Sequence, residues 1–515
     1  MTQKNSADPA VLSMRPGKSR RAPCRRRLRG RRILVAVSGW AILFLSPLCG
    51  AQPILSLSDA VREAVEKSPE VARALIAAQQ TGLQEPLLLA ETDPDFFGLM
   101  NWKKDESPRA APVVQGEESQ ENVFDLGITQ RTLVGTTARL AWTNNRLSSP
   151  SAFRPLDPTV DSRLTLSVDQ PLLRYFWGRP DKARRGLYRA ATRAAEAQAA
   201  TAVETTVLAA GKAYVTYYFA HENLNVALES RVSSKKLLDV YQDRTRYGLA
   251  DSSDLAQAEA SLEVDEAEVL LSTSLLERAR LSLLAVLHRQ GEFSAGEVAV
   301  SMPTLDLVLP TSETDAVTLG LNSRPDLQAA RARLEAAQWN ERVGILDTLP
   351  ELSFLGSYGM AGLATGYSPA WKDLGQWDNP VMSAGLVFRV PFAGRKEKLE
   401  RKSGALTFED ARQELARVTE AALRDIRDQM EARRLALERV SVRRRIVAIE
   451  RKKLEAERAN FRRGRSSTDL LVRFQKDLQR AQTLALLAEA DELMTQVELA
   501  RATGGLWCVW GKTHD

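Results

Sequence analysis

The residue types that most often carry chemistry are sparse in this chain. His221, His288 and His514 are the three histidines, and no pair of them has metal-ligand spacing. The stretch from Gly505 to Thr513 resembles a phosphate loop, but five residues separate its glycines where four are needed, and it follows a helical pattern. No Gly-x-Ser-x-Gly nucleophile motif occurs. We therefore expect no enzyme, metal or cofactor, and interpret the many carboxylates as solvated helix faces.

The elements around these residues occur twice. Each copy predicts a short helix, a proline, a helix, strands, a proline, a very long helix, a glycine turn and a long helix. A repeat of this size exceeds a solenoid unit and favours pseudo-symmetric rings or pores. The paired landmarks are Asp59-Ala60-Val61 with Asp315-Ala316-Val317, Ser68-Pro69-Glu70 with Arg324-Pro325-Asp326, Gln170-Pro171-Leu172 with Val390-Pro391-Phe392, and Tyr247-Gly248-Leu249 with Arg463-Gly464-Arg465. The expected domains are a signal peptide at 1–51, a first repeat at 52–310, a second repeat at 311–507 and a tail at 508–515.

The first 51 residues have the pattern of a secretory signal peptide. Eleven Lys or Arg residues and one acid precede or flank an apolar stretch at 33–48, which small residues follow up to Ala51. Met14 is an alternative start, and an uncleaved anchor is the alternative interpretation. Cleavage leaves 60 basic against 64 acidic side chains, a net charge of about −4, so the excess of positive charge belongs to the leader. Nucleic-acid binding then loses its support, and Cys508 remains as the one cysteine, which excludes an intrachain disulfide.

Long stretches without proline predict very long helices. They span about 180–247 and 395–461, and each is followed by a glycine and a further helix, at about 252–290 and 468–503. The hairpins so formed cover 180–291 and 395–503. At 1.5 Å per residue the longer helices reach on the order of 100 Å. Apolar residues every seven positions, Leu255, Leu262, Val269, Leu276 and Leu283, are typical of an antiparallel coiled coil.

Strict alternation predicts strand pairs at about 130–173 and 350–391. Leu164, Leu166 and Val168 face one side, and Thr165 and Ser167 face the other. Four such strands have the length of transmembrane strands, and each is apolar on one side and polar or small on the other, as in a barrel between lipid and a water-filled lumen. Four strands cannot close a membrane barrel alone, so several chains must contribute. The alternative, a soluble sandwich with one apolar face, would need more than four strands. We interpret 144–161 and 361–379 as exposed loops and 93–121 as a polar, proline-rich insertion.

The order and spacing of these landmarks resemble the TolC-like outer membrane efflux proteins. The resemblance spans about Leu57 to Leu506 and includes Gly464…Ser467-x-Asp469-Leu470-Leu471 and Ala502-Thr503-Gly504. It implies a mainly α fold with transmembrane β structure: long antiparallel hairpins form an α-barrel, and four strands per chain contribute to a trimeric 12-stranded β-barrel. It also implies an outer membrane location with a periplasmic helical portion.

The function that this resemblance implies is that of a passive exit duct. A homotrimer in outer membrane lipid would serve a tripartite efflux pump or a type I secretion system, with a periplasmic adaptor and an inner-membrane transporter as partners. The alternative is a secreted periplasmic coiled-coil scaffold without a pore.

The resemblance also places functional residues at the hairpin ends. Asp469 lies one residue earlier than the family's acidic rings lead us to expect, and Arg473 stands where a second acid could be, so we expect a mixed-charge constriction. The expected adaptor-docking residues are Tyr247, Gly248, Leu249, Ala250, Arg463, Gly464 and Ser467. The expected constriction residues are Asp251, Asp254, Asp469 and Arg473.

Overall fold

The computed structural model describes residues 54–506, apart from 152–153, 248–250, 290, 292–297, 304–308, 391, 393 and 464. The expected signal peptide and the C-terminal tail therefore lie outside the described residues. The described helices are α1 (Leu57–Lys67), α2 (Pro69–Gly82), α3 (Gln84–Ala90), α4 (Pro112–Gln115), α5 (Arg179–Arg246), α6 (Ser252–Val286), α7 (Glu313–Ser323), α8 (Pro325–Asp347), α9 (Tyr367–Gly375), α10 (Arg395–Arg462) and α11 (Thr468–Ala502). The described strands are β1 (Asp95–Asp105), β2 (Ser119–Arg131), β3 (Thr137–Ser148), β4 (Thr159–Pro171), β5 (Glu351–Ala364) and β6 (Pro380–Arg389).

The helices of the two halves match in length. Helices α5 and α10 each have 68 residues, and α6 and α11 each have 35. Both long helices begin after a glycine in the left-handed conformation, Gly178 and Gly394, which accommodates the sharp change of direction from strand to helix. Each long helix spans about 100 Å at 1.5 Å per residue. Their bounds agree with those expected from the sequence to within a few residues.

Local signals explain the short helices before the sheet. Ser56 caps α1 by accepting a hydrogen bond from the Asp59 amide, and Ser68 caps α2 in the same way from Val71. Pro69 begins α2, and Pro325 begins α8 in the second half. Proline is favourable at this position because the backbone N–H that it lacks would have no hydrogen-bond partner in the first helical turn. Each copy therefore places a short helix and a proline-initiated helix before its strands.

The main core packs α1 against the middle of α5 and the ends of α6 and α11. Tyr214 is completely buried there, and its hydroxyl lies 2.8 Å from the Leu55 carbonyl oxygen and 2.7 Å from that of Ser301. Leu55 also forms a parallel bridge with Val300. The start of the described chain is thereby joined to the segment that connects the two halves.

The strands form one antiparallel sheet in the order β1-β2-β3-β4-β5-β6. Strands β3 to β6 are the four expected from the sequence, and the mainly α fold class with paired strands is confirmed. The described residues contain six strands, two more than the sequence predicted. The additional strands β1 and β2 lie in and beside the segment 93–121, which was interpreted as an insertion. Likewise, the expected loop at 361–379 contains the end of β5 and helix α9.

No helix among the described residues combines the length and the apolar composition needed to cross a membrane.

Candidate functional site

The two helical hairpins end side by side. Gln257 Nε2 in α6 donates a hydrogen bond to Asp469 Oδ1 in α11 across 3.2 Å. The hydroxyls of Tyr241 in α5 and Thr468 in α11 are also hydrogen-bonded. The ends of both hairpins therefore form one patch, which we call the hairpin tip and define as residues 241–247, 251–258, 457–463 and 465–473.

The second helix of each hairpin starts with short polar side chains. Ser467 caps α11 by accepting a hydrogen bond from the Leu470 amide at 3.3 Å. Asp251 stands at the same place before α6 in extended conformation, but its side chain makes no capping hydrogen bond. Asp254 and Asp469 lie in the first helical turns, where a carboxylate interacts favourably with the positive end of the helix dipole. Helix initiation alone therefore accounts for the positions of these acids.

An apolar cluster holds the tip together beneath its polar end. It combines residues of both hairpins, and the Arg244 guanidinium lies 5.4 Å from the centroid of the Phe461 ring, in range of a cation–π interaction. Burial raises the pKa of Tyr241, and the negative charge of Asp254 adds to this effect. Tyr241 therefore stays a neutral hydroxyl at physiological pH. The buried members of the cluster are Leu237, Tyr241, Ala258, Leu454, Leu471 and Val472.

The expected tip residues fall into three groups. Tyr247 is 79% exposed, and the other exposed residues are Asp251, Arg463, Ser467, Asp469 and Arg473. Asp254 is half-buried. The remaining expected residues, Gly248, Leu249, Ala250 and Gly464, lie outside the described residues.

A buried charge joins the two hairpins further from the tip. Asp265 in α6 is completely buried. Its carboxylate accepts hydrogen bonds from Ser230 at 3.1 Å and Ser234 at 2.5 Å, both in α5, and pairs with the Lys476 ammonium of α11. Because a buried carboxylate is unstable without its partners, this pair fixes α11 against the first hairpin. The sequence analysis missed it, since nothing in the pattern of α6 distinguishes Asp265 from exposed acids.

The register of the sheet separates its side chains into two faces of opposite character. Opposing residues in adjacent strands lie on the same face, so the pairings define each face across all six strands. One face, here called the apolar face, carries Phe96, Met100, Trp102, Phe124, Leu126, Ile128, Leu140, Trp142, Leu164, Leu166, Val168, Phe354, Tyr358, Met360, Met382, Leu386 and Phe388. The other, here called the polar face, carries mostly charged, hydroxyl and small residues, with Phe97, Leu99, Leu355, Val381 and Val387 among them. Its polar and small members include Asp125, Thr129, Arg139, Thr143, Thr165, Ser167, Asp169, Ser357, Gly359, Ser383 and Gly385.

The sequence analysis missed the contribution of β1 and β2 to the apolar face. The signal was present, because Phe124, Leu126 and Ile128 alternate with Asp125 and other polar or small residues as regularly as the residues of β4 do. In β1 it is obscured by Lys103 and Lys104, which follow Trp102 directly. Charges and prolines in the nearby connection made the whole segment resemble an insertion.

Aromatic residues gather at the end of the apolar face where α9 crosses it. The Trp371 ring of α9 packs edge-on against Trp142, with 5.0 Å between centroids, and Tyr367 lies 6.0 Å from Phe124. Gly362 of β5 allows this contact, since a Cβ there would lie 2.2 Å from the Ala370 carbonyl oxygen. Aromatic rings at the border of an apolar band are typical of strands at a membrane interface.

Within the described residues, no group of three or more His, Cys, Asp or Glu side chains is arranged to hold a metal ion. The geometry instead combines a sheet with one apolar face and a pair of hairpins that meet at a polar tip. A sheet of this kind can border lipid on one side and water on the other.

Residues 317–505 match the family described as outer membrane efflux protein. This segment runs from α7 to the end of α11. Among curated proteins, the solvent efflux pump outer membrane protein SrpC of Pseudomonas putida is 25% identical over 283 residues, which are 53% of each chain. The chain thus aligns with about half the length of this relative and of two others that it matches.

Solved structures show the fold over nearly the whole chain. The outer-membrane channel OprN superposes with a TM-score of 0.66 at 17% identity, covering 88% of this chain and 90% of its own. The CmeC outer membrane channel of Campylobacter jejuni gives 0.64 at 16% identity, covering 92% and 94%. The resemblance to TolC-like outer membrane channels expected from the sequence is therefore confirmed at the level of the fold.

Proposed function

We propose that this chain, which has the fold of the TolC-like channels and an outer membrane efflux protein region in its second half, forms an outer membrane exit duct. The duct serves a tripartite efflux pump or a type I secretion system and conducts substrate passively, without chemistry of its own. The observation that carries this proposal is the combination of a two-faced sheet with helices about 100 Å long in one chain. The sheet lies in the outer membrane, and the helices extend into the periplasm.

The assembly that this function requires is a homotrimer. A membrane-spanning sheet must leave no backbone groups unpaired in lipid, so its edges need strands from further chains. A periplasmic adaptor and an inner-membrane transporter complete the pump and supply its energy. Tyr247, Arg463 and Ser467 are exposed at the hairpin tip, which supports this patch as the adaptor-docking site. The proposed site also includes Gly248, Leu249, Ala250 and Gly464, which neighbour these residues in the sequence.

The tip is also the proposed constriction, with charges of both signs. Asp251, Asp469 and Arg473 are exposed, and Asp254 is half-buried. Replacing Asp254, Asp469 and Arg473 singly by alanine is expected to alter the ion selectivity of the open channel, with the Arg473 change opposite in sign to the other two. The measurement is the reversal potential in a salt gradient across a planar bilayer. Identical reversal potentials for all three variants and the wild type would remove these residues from the constriction.

The test of the duct itself is conductance of the purified, detergent-extracted protein in a planar bilayer, with its oligomeric mass measured alongside. We expect discrete current steps from a trimer. Two adjacent substitutions provide a matched pair. Leu166→Arg places a charge on the apolar face at a cost of about 2–4 kcal/mol in the middle of a bilayer and should reduce insertion. Ser167→Arg places the same charge on the polar face and should leave insertion intact.

A protein that extracts without detergent and gives no current steps would contradict the duct and favour the periplasmic scaffold instead. Equal insertion of both arginine variants would contradict the assignment of the apolar face to lipid. The exposed apolar side chains of the sheet favour the duct over the scaffold, because a soluble protein rarely exposes an apolar surface of this extent.

A further inference from the structure

The apolar face of the sheet changes in character towards the end that α9 crosses. Side chains that are paired across the strands form rows on this face. The row at Trp142 has no charged or amide side chain. Two rows further along β3, the row at Arg146 also contains Asn122 of β2 and the exposed Trp102 of β1. The apolar face therefore ends in a row that combines a cation, an amide and an aromatic ring.

The height of this row on the sheet matches the border of a membrane. Arg146 is aligned through Val160 with Ala364 of β5, and Ala364 lies twelve residues from Leu352, which pairs with Phe388 at the other end of the apolar face. Twelve strand residues span about 40 Å, and a strand tilt of about 40° reduces this to about 30 Å. The hydrocarbon core of a bilayer is about 30 Å thick. With the apolar rows in hydrocarbon, Arg146 therefore lies at the level of the lipid headgroups.

Two cations at this end have no acidic partner among the described residues. Lys104, one row beyond Arg146, is paired with acids of the β1–β2 connection. By contrast, the half-buried Arg146 and the exposed Lys372 of α9 form no ion pair with another described residue. Asp373, which follows Lys372, accepts a hydrogen bond from the Leu363 amide at 3.0 Å. Both cations are therefore available to an anion that is not part of the chain.

Exposed aromatic rings accompany the two cations. Lys372 directly follows Trp371, which is 51% exposed and packs against Trp142. Trp102 lies in the row of Arg146, two strands away, which is about 10 Å. Tryptophan rings favour the level of the headgroups in a membrane, and basic groups at that level attract anionic headgroups. This end of the face thus has both kinds of side chain that contact a charged lipid.

We propose that the end of the apolar face at Arg146 and Lys372 binds a phosphate-bearing lipid of the outer leaflet. Its acyl chains lie along the apolar rows, and its phosphate groups contact the two cations. The site rests on the proposed function, which places the sheet in the outer membrane. Strands β4 and β6 lead into α5 and α10 at the opposite end, so with those helices in the periplasm the α9 end reaches the outer leaflet.

The chemistry of the site favours a lipid over a free anion. Arginine forms charge-assisted and often bidentate hydrogen bonds with phosphate, and an unpaired cation at the border of hydrocarbon is stabilised by such a partner. A free phosphate would use the two charges alone. A lipid also covers the apolar rows that continue from Arg146 along the same face, so one molecule uses both features. One chain provides one site, and the homotrimer would bind one lipid per chain.

Native mass spectrometry of the purified, detergent-extracted full-length protein tests the site, with diphosphoryl lipid A as the probe and dephosphorylated lipid A as its control. Arg146→Gln removes the charge at the centre of the site, and Arg146→Lys retains it. The matched control is Arg163→Gln, which removes an arginine from the polar face near the same end of the sheet. Lys372→Gln, at an exposed position of α9, is a second variant in case Arg146→Gln does not assemble.

We expect the wild type and Arg163→Gln to retain the diphosphoryl lipid equally. Arg146→Gln should bind it about tenfold more weakly, because hydrogen bonds to charged groups are lost. Lys372→Gln should also weaken binding, and Arg146→Lys should recover part of the loss. The dephosphorylated lipid should bind to the wild type no better than the diphosphoryl lipid binds to Arg146→Gln.

Three results would overturn the lipid site: equal retention of the two lipids, equal binding by Arg146→Gln, Lys372→Gln and Arg163→Gln, or displacement of the lipid by inorganic phosphate at the same concentration. The last result would identify a free anion as the ligand. Conducting trimers that give any of these results leave the duct intact. A protein that forms no trimer and conducts no current would instead fail the proposed function itself.

Discussion

Replacing Lys476 by methionine should loosen the contact between the two hairpins of the chain. Asp265 is completely buried, and the substitution would leave its carboxylate with only the hydroxyls of Ser230 and Ser234. Removing one partner of a buried ion pair costs about 3–5 kcal/mol. Because the Lys476 side chain is 31% exposed, water partly screens the pair, so we take the lower end, about 3 kcal/mol.

Hydrogen exchange detected by mass spectrometry measures this local loss directly. Since 1.4 kcal/mol corresponds to a factor of ten, protected amides in α6 and α11 around 258–272 and 470–484 should exchange about 100-fold faster in the variant. Global melting is less suitable, because unfolding of a chain of this length is rarely a two-state process. Amides in α1 and α8, which do not contact Lys476, serve as internal references.

Two further variants test the reasoning behind this prediction. Lys453→Met breaks a pair in which Lys453 contacts Asp477 and Glu450 at 2.9 Å, but both acids reach solvent, so the expected loss is at most about 1 kcal/mol. The double variant Lys476→Met with Asp265→Asn removes the buried charge and should restore most of the protection. Two results would contradict this reasoning: amides of Lys476→Met that exchange no faster than those of Lys453→Met, or amides of the double variant that exchange as fast as those of Lys476→Met. In either case the buried charge of Asp265 does not account for the predicted loss of about 3 kcal/mol.

The remaining predictions concern the start of α5 and the base of α1. Gly178→Ala should destabilise the protein more than Gly394→Ala. Both glycines have a left-handed backbone, in which an alanine costs about 1 kcal/mol. Only at Gly178 does the new Cβ also meet a carbonyl oxygen, that of Leu133. Faster hydrogen exchange in the turn at 132–136 should appear in Gly178→Ala alone, and equal effects would contradict the close contact. The Arg289 guanidinium lowers the pKa of Glu63 through hydrogen bonds, so its stabilisation is present at neutral pH and is lost as the pH falls through the lowered pKa, below the ordinary glutamate range. Amides of α1 should therefore exchange faster in Glu63→Gln than in the wild type at pH 7, with the difference vanishing once the pH falls below the lowered pKa of Glu63; a constant difference would refute the linkage.

The sequence was most informative where one physical rule dominates. The absence of breakers defined α5 and α10 to within a residue or two, because a helix continues until a proline or glycine makes continuation costly. Alternation defined β3 to β6 for a similar reason, since each strand faces apolar surroundings on one side only.

The sequence was least informative where competing signals coincide. Lys103 and Lys104 mask the alternation of β1, and the polar connection beyond them gave no indication that β1 pairs with β2. The Asp265–Lys476 pair is a contact between residues 211 positions apart, which periodicity within one helix does not encode. Helix α9 is short, and its packing on the apolar face depends on Gly362, whose role appears only when the strands and the helix are brought together.

The uneven division of strands between the two halves bears on how such a chain can change during evolution. The first half contributes four strands and the second contributes two, yet the helices of the halves keep equal lengths. Adding a hairpin returns the chain to the end of the sheet from which it left, so β4 still enters α5 in the same direction. A single added strand would deliver the next helix to the opposite end of the sheet. Insertions and deletions in the sheet are therefore restricted to pairs of strands, and the long helices need not change when one occurs.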